Sequence, residues 1–257
     1  MADLLESADA AALRLADAAG VTVRMLETVA EFNQSLAVME EVWGPGSELV
    51  GPGLMVALRH TDNYVSGAFS GGRMVGYCVA FRSVAEADCI HSHVAAVVAD
   101  HVGRSIGTAL KFHQRAWALR HGINVIEWTY DPLIARNAAF NLIRLGAEAE
   151  QYLVDFYGPM DDEINRNQPS DRLMARWYLD SDKAIAAACG KRCGVPADPD
   201  LAWAPVPPDI EGLRHTDLEA AARWRFQLRE ALAGPMSAGA RIVGFDPARG
   251  YALRKDA

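Results

Sequence analysis

The sequence predicts an α/β (α+β) fold in which helices flank a mixed, mostly antiparallel sheet, followed by a C-terminal extension. Three observations support this prediction. Segments with the two-residue alternation of strands are interspersed with segments whose apolar residues recur every three or four positions, as in helices. Several strand-like segments follow one another without a helix between them, which favours antiparallel neighbours. From residue 182 onward, alanine-rich and proline-rich stretches replace this pattern.

The chain opens with a helical segment that precedes the main domain. Residues 2–19 are rich in alanine and leucine and stop at Gly20, which is typical of a helix ended by glycine. Residues 21–25 alternate as a short strand, and apolar residues then recur with helical spacing through Trp43. Residues 54–60 fit either a short helix or a strand. The segment 1–20 is therefore predicted to be an added N-terminal helix.

A β-hairpin is predicted over residues 64–82. Two adjacent glycines, Gly71 and Gly72, separate the alternating segments 64–70 and 73–82. A two-residue hairpin turn needs positive φ angles, which glycine adopts without steric cost.

The rest of the main domain, predicted to span 21–181, alternates strands with two helices. The predicted strands are 90–98, 125–130, 151–157 and 173–179, and the predicted helices are 106–121 and 135–145. Gly122 and Gly146 follow the two helices directly, which is where glycine commonly ends a helix.

Residues 182–257 are predicted to form a C-terminal extension. An alanine-rich helix ends near Gly190, and five prolines within 194–208 exclude a helix interior or a central strand, so this stretch is interpreted as a linker or surface arm. Thr216 and Glu219 have the spacing of a capping box and predict a helix that continues to Leu232. Residues 242–245 and 251–254 are predicted to pair as a closing hairpin.

Composition excludes several classes of protein. The net charge is −8, and lysine and arginine form no long run, so nucleic acid is not an expected partner. No apolar stretch approaches the roughly 20 residues that span a bilayer, and the N-terminus is acidic, so neither a membrane nor secretion is expected. The four cysteines lack paired C-x-x-C spacing, which predicts reduced thiols in the cytoplasm and no metal site.

The most informative stretch runs from Val97 to Leu110, where a strand leads through a glycine-containing loop into a helix. A helix N-terminus has unpaired amides and a positive dipole end, so such a loop can hold a diphosphate with its backbone alone. Gly103 and Gly107 let the backbone approach an anion closely. The alternative is an ordinary helix-capping turn.

This loop resembles the coenzyme A (CoA) pyrophosphate loop of the GNAT acetyltransferase superfamily, with 102–107 on the motif. Val102 stands where the family usually has Gln or Arg, and Ser105 replaces its central glycine. Arg104 is either a compensating phosphate partner or a solvated surface residue. The resemblance implies these CoA-binding residues: Val97, Val98, Val102, Gly103, Arg104, Ser105, Ile106, Gly107, Thr108, Asn137 and Phe140.

A second resemblance lies in residues 137–147, which are similar to the family's Asn-led helix that ends in a Gly-Phe pair. The similarity covers roughly 21–179 and implies central strands that splay apart, exposing amides near Val97 and Val98 to the pantetheine arm. The family's usual tyrosine acid corresponds to Leu142 here. Tyr130, at the end of a splayed strand, is therefore a candidate acid, and plain packing is the alternative.

Two histidines precede the loop and are candidate bases. His91 and His93 lie on one face of a strand, because side chains alternate across it. Their spacing to the loop resembles the His-x-His pair of arylalkylamine N-acetyltransferases, which relays a proton from the amine through water. The alternatives are two half-buried strand histidines or half of a metal site.

Glu127 is the competing base, and its alternative is an outward residue of a one-sided strand. The acidic cluster of Asp161, Asp162 and Glu163, with Asp155 and Asp171, lies beside strands that frame the acceptor site in the family and would attract a cationic amine. The alternative is solvated loop charges and a turn around Gly158-Pro159.

The sequence therefore predicts direct N-acyl transfer from acetyl-CoA or another acyl-CoA to a small-molecule amine, without a metal. A homodimer is possible. The alternatives are a CoA-binding or partner module that has lost turnover, and a purely structural oligomerisation module.

Overall fold

A computed structural model describes residues 2–45, 50–158, 160 and 168–255 of the chain. Of the predicted acidic cluster, Asp161, Asp162 and Glu163 lie outside these residues, whereas Asp155 and Asp171 lie within them and Asp171 is fully buried. The helices are α1 (Ala2–Ala18), α2 (Val29–Trp43), α3 (Pro52–His60), α4 (Ile106–Arg120), α5 (Ala135–Ala138), α6 (Asp182–Ala188), α7 (Ile210–Thr216) and α8 (Leu218–Ser237). A π-helical turn, Ala139–Leu145, continues α5, and a 3₁₀ turn, Ala99–His101, precedes α4.

The strands form two sheets. The first has the order β1-β2-β3-β4-β5-β7-β6 and the second the order β8-β10-β9. The strands are β1 (Thr22–Met25), β2 (Tyr64–Ser70), β3 (Arg73–Arg82), β4 (Cys89–Val97), β5 (Val125–Tyr130), β6 (Glu148–Leu153), β7 (Arg172–Tyr178), β8 (Ala202–Ala204), β9 (Arg241–Asp246) and β10 (Gly250–Arg254). β4 and β5 pair in parallel, whereas β1–β2, β2–β3, β3–β4 and β6–β7 are antiparallel. The predicted mixed, mostly antiparallel fold is confirmed.

The chain folds into two compact units. The first unit contains Met1–Glu127 and Tyr178–Asp180, and the second contains Trp128–Trp177 and Ser181–Ala257. The division falls inside β5, whereas the sequence places a boundary after residue 181. The three-part division of the sequence stays a prediction.

The first unit is built around the β2–β3 hairpin. Gly71 and Gly72 adopt φ angles of 56° and 84°, which confirms the predicted glycine turn. Most of β2 and β3 is buried, so these strands form the centre of the unit's core. Residues 52–60 form a helix, which settles the open choice between helix and strand. The N-terminal helix α1 packs along α4.

The second unit incorporates the C-terminal segment into its core. Within the proline-rich stretch, Ala202–Ala204 forms a strand that pairs with β10, so the interpretation of this stretch as only a linker or arm was wrong. The predicted closing hairpin is confirmed as β9–β10. The hydroxyl of Tyr251 on β10 donates to the carbonyl oxygen of Pro132 (2.8 Å).

Two predicted boundaries in this unit were wrong. Asp217, not Thr216, is the N-cap of α8, because its carboxylate accepts the amide of Ala220 and Thr216 ends α7. β6 ends at Leu153, whereas the predicted strand continued to residue 157. The chain turns at Asp155, which has a φ of 47°, and its amide donates to Asp171 (3.0 Å).

Candidate active site

The loop between β4 and α4, which we name the anion turn (102–107), has an open and strongly curved backbone. Gly103 has a φ of 86°, and a Cβ placed there would meet nothing within 4 Å. Ser105, the N-cap of α4, has a φ of 64° and makes no side-chain capping hydrogen bond. Val102, Gly103, Arg104 and Ser105 are all exposed. The backbone of the turn is therefore accessible to a ligand.

The first turn of α4 presents backbone donors at this place. The first α-helical hydrogen bond runs from the amide of Ala109 to the carbonyl oxygen of Ser105 (3.0 Å). The amides of Ile106, Gly107 and Thr108 come before it, so helix geometry gives them no carbonyl partner within α4. With the positive end of the helix dipole added, the turn is suited to an anion.

A cluster of charged side chains fixes the segment that leads into the anion turn. The carboxylate of Glu41 on α2 accepts the amide of Ala99 (3.1 Å) and pairs with Arg73 (3.2 Å). Arg73 also donates to Asp100 (3.0 Å), which contacts Nδ1 of His101 (2.6 Å). The hydrogen bond with His101 is the main cause of a lowered pKa at Asp100. The 3₁₀ turn is therefore tied to both α2 and β3.

At the end of β4, the Val98 amide is hydrogen-bonded to β3, whereas the Val97 amide is directed away from β3. The amide of Val98 donates to the carbonyl oxygen of Val75 (3.0 Å). The expectation that the Val98 amide faces a pantetheine arm is corrected by this bond. Successive strand residues direct their amides to opposite edges, so the Val97 amide points to the β5 side of β4. In the first unit, β4 pairs with β5 only through residues 89–91.

The predicted base candidates His91, His93 and Glu127 lie together on one surface. We name this surface, with the neighbouring Phe81, the histidine face. Phe81 pairs with His91 across β3 and β4, and His91 pairs with Glu127 across β4 and β5. The ring centroids of His91 and His93 are 6.1 Å apart, and Phe81 contacts both rings. Nδ1 of His91 lies 3.8 Å from Oε1 of Glu127.

The two histidines differ in their surroundings. His93 is exposed, whereas His91 is half-buried. Burial, then the neighbouring His93, then the cation of Lys111 lower the pKa of His91 to about 4. His91 is therefore neutral at pH 7 and can accept a proton.

A group of polar side chains that sequence reasoning missed lies between β3, β4 and α4. We name Cys78, Ser92, Lys111 and Gln114 the core network. All four are buried, and Lys111 is 3% exposed. Burial is the main cause that lowers the pKa of Lys111 to about 8 and raises the pKa of the Cys78 thiol. A lysine flanked by Leu110 and Phe112 on a helix was the available signal.

The remaining predicted site residues belong to the second unit. Tyr130 is buried, and burial raises the pKa of its phenol. Asn137 lies in α5 and Phe140 in the π-helical turn, both half-buried, and Leu142 is buried. π-Helical turns often occur at functional sites.

Within residues 2–45, 50–158, 160 and 168–255, no three His, Cys, Asp or Glu side chains are placed to hold a metal ion. Over the same residues, no helix combines the length and apolar character needed to cross a membrane.

The sheet order, with β4 leading through a turn into α4, is that of the GNAT acetyltransferase fold, and several solved structures with this fold are similar to the chain. Ribosomal-protein-S18-alanine N-acetyltransferase from Escherichia coli is 14% identical, with a TM-score of 0.51 over 63% of this chain and 95% of that chain. Ribosomal-protein-alanine N-acetyltransferase from Brucella melitensis is 19% identical, with a TM-score of 0.51 over 62% and 99%.

A third similar structure was solved with acetyl-CoA. The yncA protein of Salmonella typhimurium, described with acetyl-CoA as its cofactor, is 16% identical, with a TM-score of 0.52 over 63% of this chain and 95% of that chain. The chain therefore has the GNAT fold. No protein-family model matches the sequence, and no curated protein does.

Proposed function

We propose that this chain is an acyl-CoA-dependent N-acyltransferase that moves an acetyl or other short acyl group to the amine of a small molecule. The observation that carries the proposal is the anion turn, where the amides of Ile106, Gly107 and Thr108 precede the first helical hydrogen bond of α4. The oxygens of the CoA diphosphate would accept hydrogen bonds from these amides, and exposed Arg104 would add a positive charge. Asn137 and Phe140 are proposed as further CoA contacts.

The transfer is direct. The Val97 amide, on the β5 side of β4, would polarise the thioester carbonyl. The amine nitrogen attacks this carbonyl carbon, the new C–N bond forms, and the C–S bond breaks to release the CoA thiolate. The phenol of Tyr130 is the proposed proton donor to that thiolate, because its raised pKa keeps it protonated. The resulting phenolate would take up the second proton that the nitrogen loses as the amide forms, which restores the phenol.

The histidine face supplies the base. A substrate ammonium must lose a proton before its nitrogen can attack, and exposed His93 would take that proton through a water molecule. His91, which is neutral, and Glu127, 3.8 Å from it, continue the polar path away from the substrate. In the alternative interpretation, His91, His93 and Glu127 are only strand residues without a catalytic role, and removing their side chains would leave turnover unchanged.

Two measurements test the proposal. Calorimetry should detect CoA binding, and thiol release from acetyl-CoA or succinyl-CoA should depend on an added amine from a panel of small amines and amino acids. A His91→Ala/His93→Ala variant should keep binding and lose most turnover, whereas a His60→Ala/His215→Ala variant, at exposed histidines, should keep both.

The outcomes separate this function from its rival. Failure to bind CoA would contradict the proposal altogether. Binding with no release above that of the double histidine variant would favour a CoA-binding or partner module that uses the same scaffold.

A further inference from the structure

The core network connects α4 to the strand that carries the two histidines. Nζ of Lys111 donates to Oγ of Ser92 (2.8 Å) and to Oε1 of Gln114 (3.1 Å). Nε2 of Gln114 donates to Sγ of Cys78 (3.4 Å), which lies 3.8 Å from Oγ of Ser92. These contacts form a closed ring of four side chains inside the first unit.

Ser92 places this ring directly behind the histidine face. It lies between His91 and His93 in sequence, and strand alternation directs its side chain to the opposite face of β4. Ser92 is 4% exposed, in agreement with that direction. The ammonium of Lys111 is therefore held against the back of the strand at the position of the histidine pair.

We propose that Lys111 is a positioning residue that acts through strand β4 to extend, toward acid pH, the range in which the imidazole of His91 stays neutral and can accept a proton. Its role in catalysis rests on the proposed function, whereas its effect on His91 does not.

The charges around His91 support this assignment. His93 is beside it on β4, Glu127 faces it from β5, and apolar Phe81 packs against it from β3. Lys111 faces it from α4, behind the strand. The carboxylate of Glu127 favours a protonated imidazole, whereas burial, His93 and Lys111 together hold the pKa of His91 at about 4. Because the pKa of Lys111 is about 8, its positive charge is present at pH 7.

The same helix also supplies the C-terminal end of the anion turn. Lys111 lies in α4, which begins at Ile106. One rigid element therefore fixes both the proposed diphosphate contact and the cation behind the base.

The test is a Lys111→Met variant, which removes the charge and keeps an unbranched side chain. The titration of His91 is followed by NMR, with its ring signals assigned by comparison with a His93→Gln variant. We expect the His91 midpoint to rise by about half a pH unit or more, because one nearby positive charge is lost. The acid limb of the kcat/KM profile should move in the same direction.

Two controls make the test specific. Lys111→Arg, which keeps the charge, should keep the midpoint near that of the parent chain. Arg120→Met removes an exposed cation at the other end of α4 and should leave His91 unchanged. If Lys111→Met does not fold by circular dichroism, Lys111→Gln makes the same measurement.

An unchanged His91 midpoint in a folded neutral variant would overturn the inference. A raised midpoint in a protein that transfers no acyl group from any donor would support it and would instead remove the proposed function.

Discussion

Asp131 is the residue on which the buried charges of the second unit converge. Arg225 and Arg214 donate to its carboxylate, Arg172 lies 4.0 Å away, and all four side chains are buried. Burial alone would raise the pKa of Asp131, but the three guanidiniums outweigh it and hold the pKa well below its usual range. The carboxylate therefore stays charged and is a central structural partner.

Replacing Asp131 with Asn should strongly destabilise the protein. The change leaves buried guanidiniums without their anion, and loss of one partner from a buried pair costs about 3–5 kcal/mol. Urea unfolding would measure the loss. Asp198→Asn, which breaks a partly exposed pair with Arg254, should cost less than about 1 kcal/mol. Equal losses in the two variants would contradict this account.

Lys111 should make the free energy of unfolding depend on alkaline pH. Its pKa is about 8 in the folded chain and 10.5 in the ordinary state, so between these values the unfolded chain binds more protons. Lys111 should therefore contribute stability that rises with pH across this window, by as much as about 3 kcal/mol. Buried Cys78 and Tyr64, whose pKa values burial raises, act in the opposite direction in every variant, so the contribution of Lys111 is measured as a difference. In denaturant titrations from pH 7.5 to 10.5, the stability of the parent chain relative to Lys111→Met should rise with pH, whereas its stability relative to a Lys183→Met surface control should stay constant.

At the scale of elements, the first turn of α4 carries local strain. Ser105 has a φ of 64°, in the left-handed region that costs a non-glycine residue about 1–2 kcal/mol. Ser105→Gly should stabilise the chain by up to about 1 kcal/mol after the greater freedom of glycine in the unfolded state is counted. Ser181 is the matched control, since it caps α6 at a φ of −66° and its hydroxyl accepts the Ala184 amide. Ser181→Gly should cost a few tenths of a kcal/mol, and thermal melts would compare the two signs.

The elements with purely local signals could be predicted from the sequence. The β2–β3 hairpin depends on two glycines, and β5 on a short apolar run, so both were predicted at the observed bounds. β6 was misplaced because apolar alternation continues past Leu153, although the Asp155 turn ends the strand. α7 was missed because Thr216 has the spacing of a cap but lies at the end of a helix.

At the scale of the whole molecule, the sequence could not predict how the last third of the chain is used. The pairs that join Asp131 to Arg214 and Arg225 span 83 and 94 residues, and local periodicity carries no information at that separation. The anion turn and the histidine face could be predicted because each lies within a short segment or on paired strands. The core network needed the packing of α4 on β4.

A chain that ends at residue 181 should fail to fold. It would lose Arg214 and Arg225 from Asp131 and Arg229 from fully buried Asp171. We expect the truncated chain to show no cooperative thermal transition, whereas a chain ending at residue 254 should melt like the parent. A cooperative transition in the shorter chain would show that residues 182–257 are a separable appendage.

Glu41 also limits how far the segment before the anion turn can rearrange. Because its carboxylate accepts a hydrogen bond from the Ala99 amide, this segment would need little reordering to bind the proposed CoA diphosphate. Binding would then cost little chain entropy, so affinity differences among acyl-CoA ligands should appear in their dissociation rates more than in their association rates.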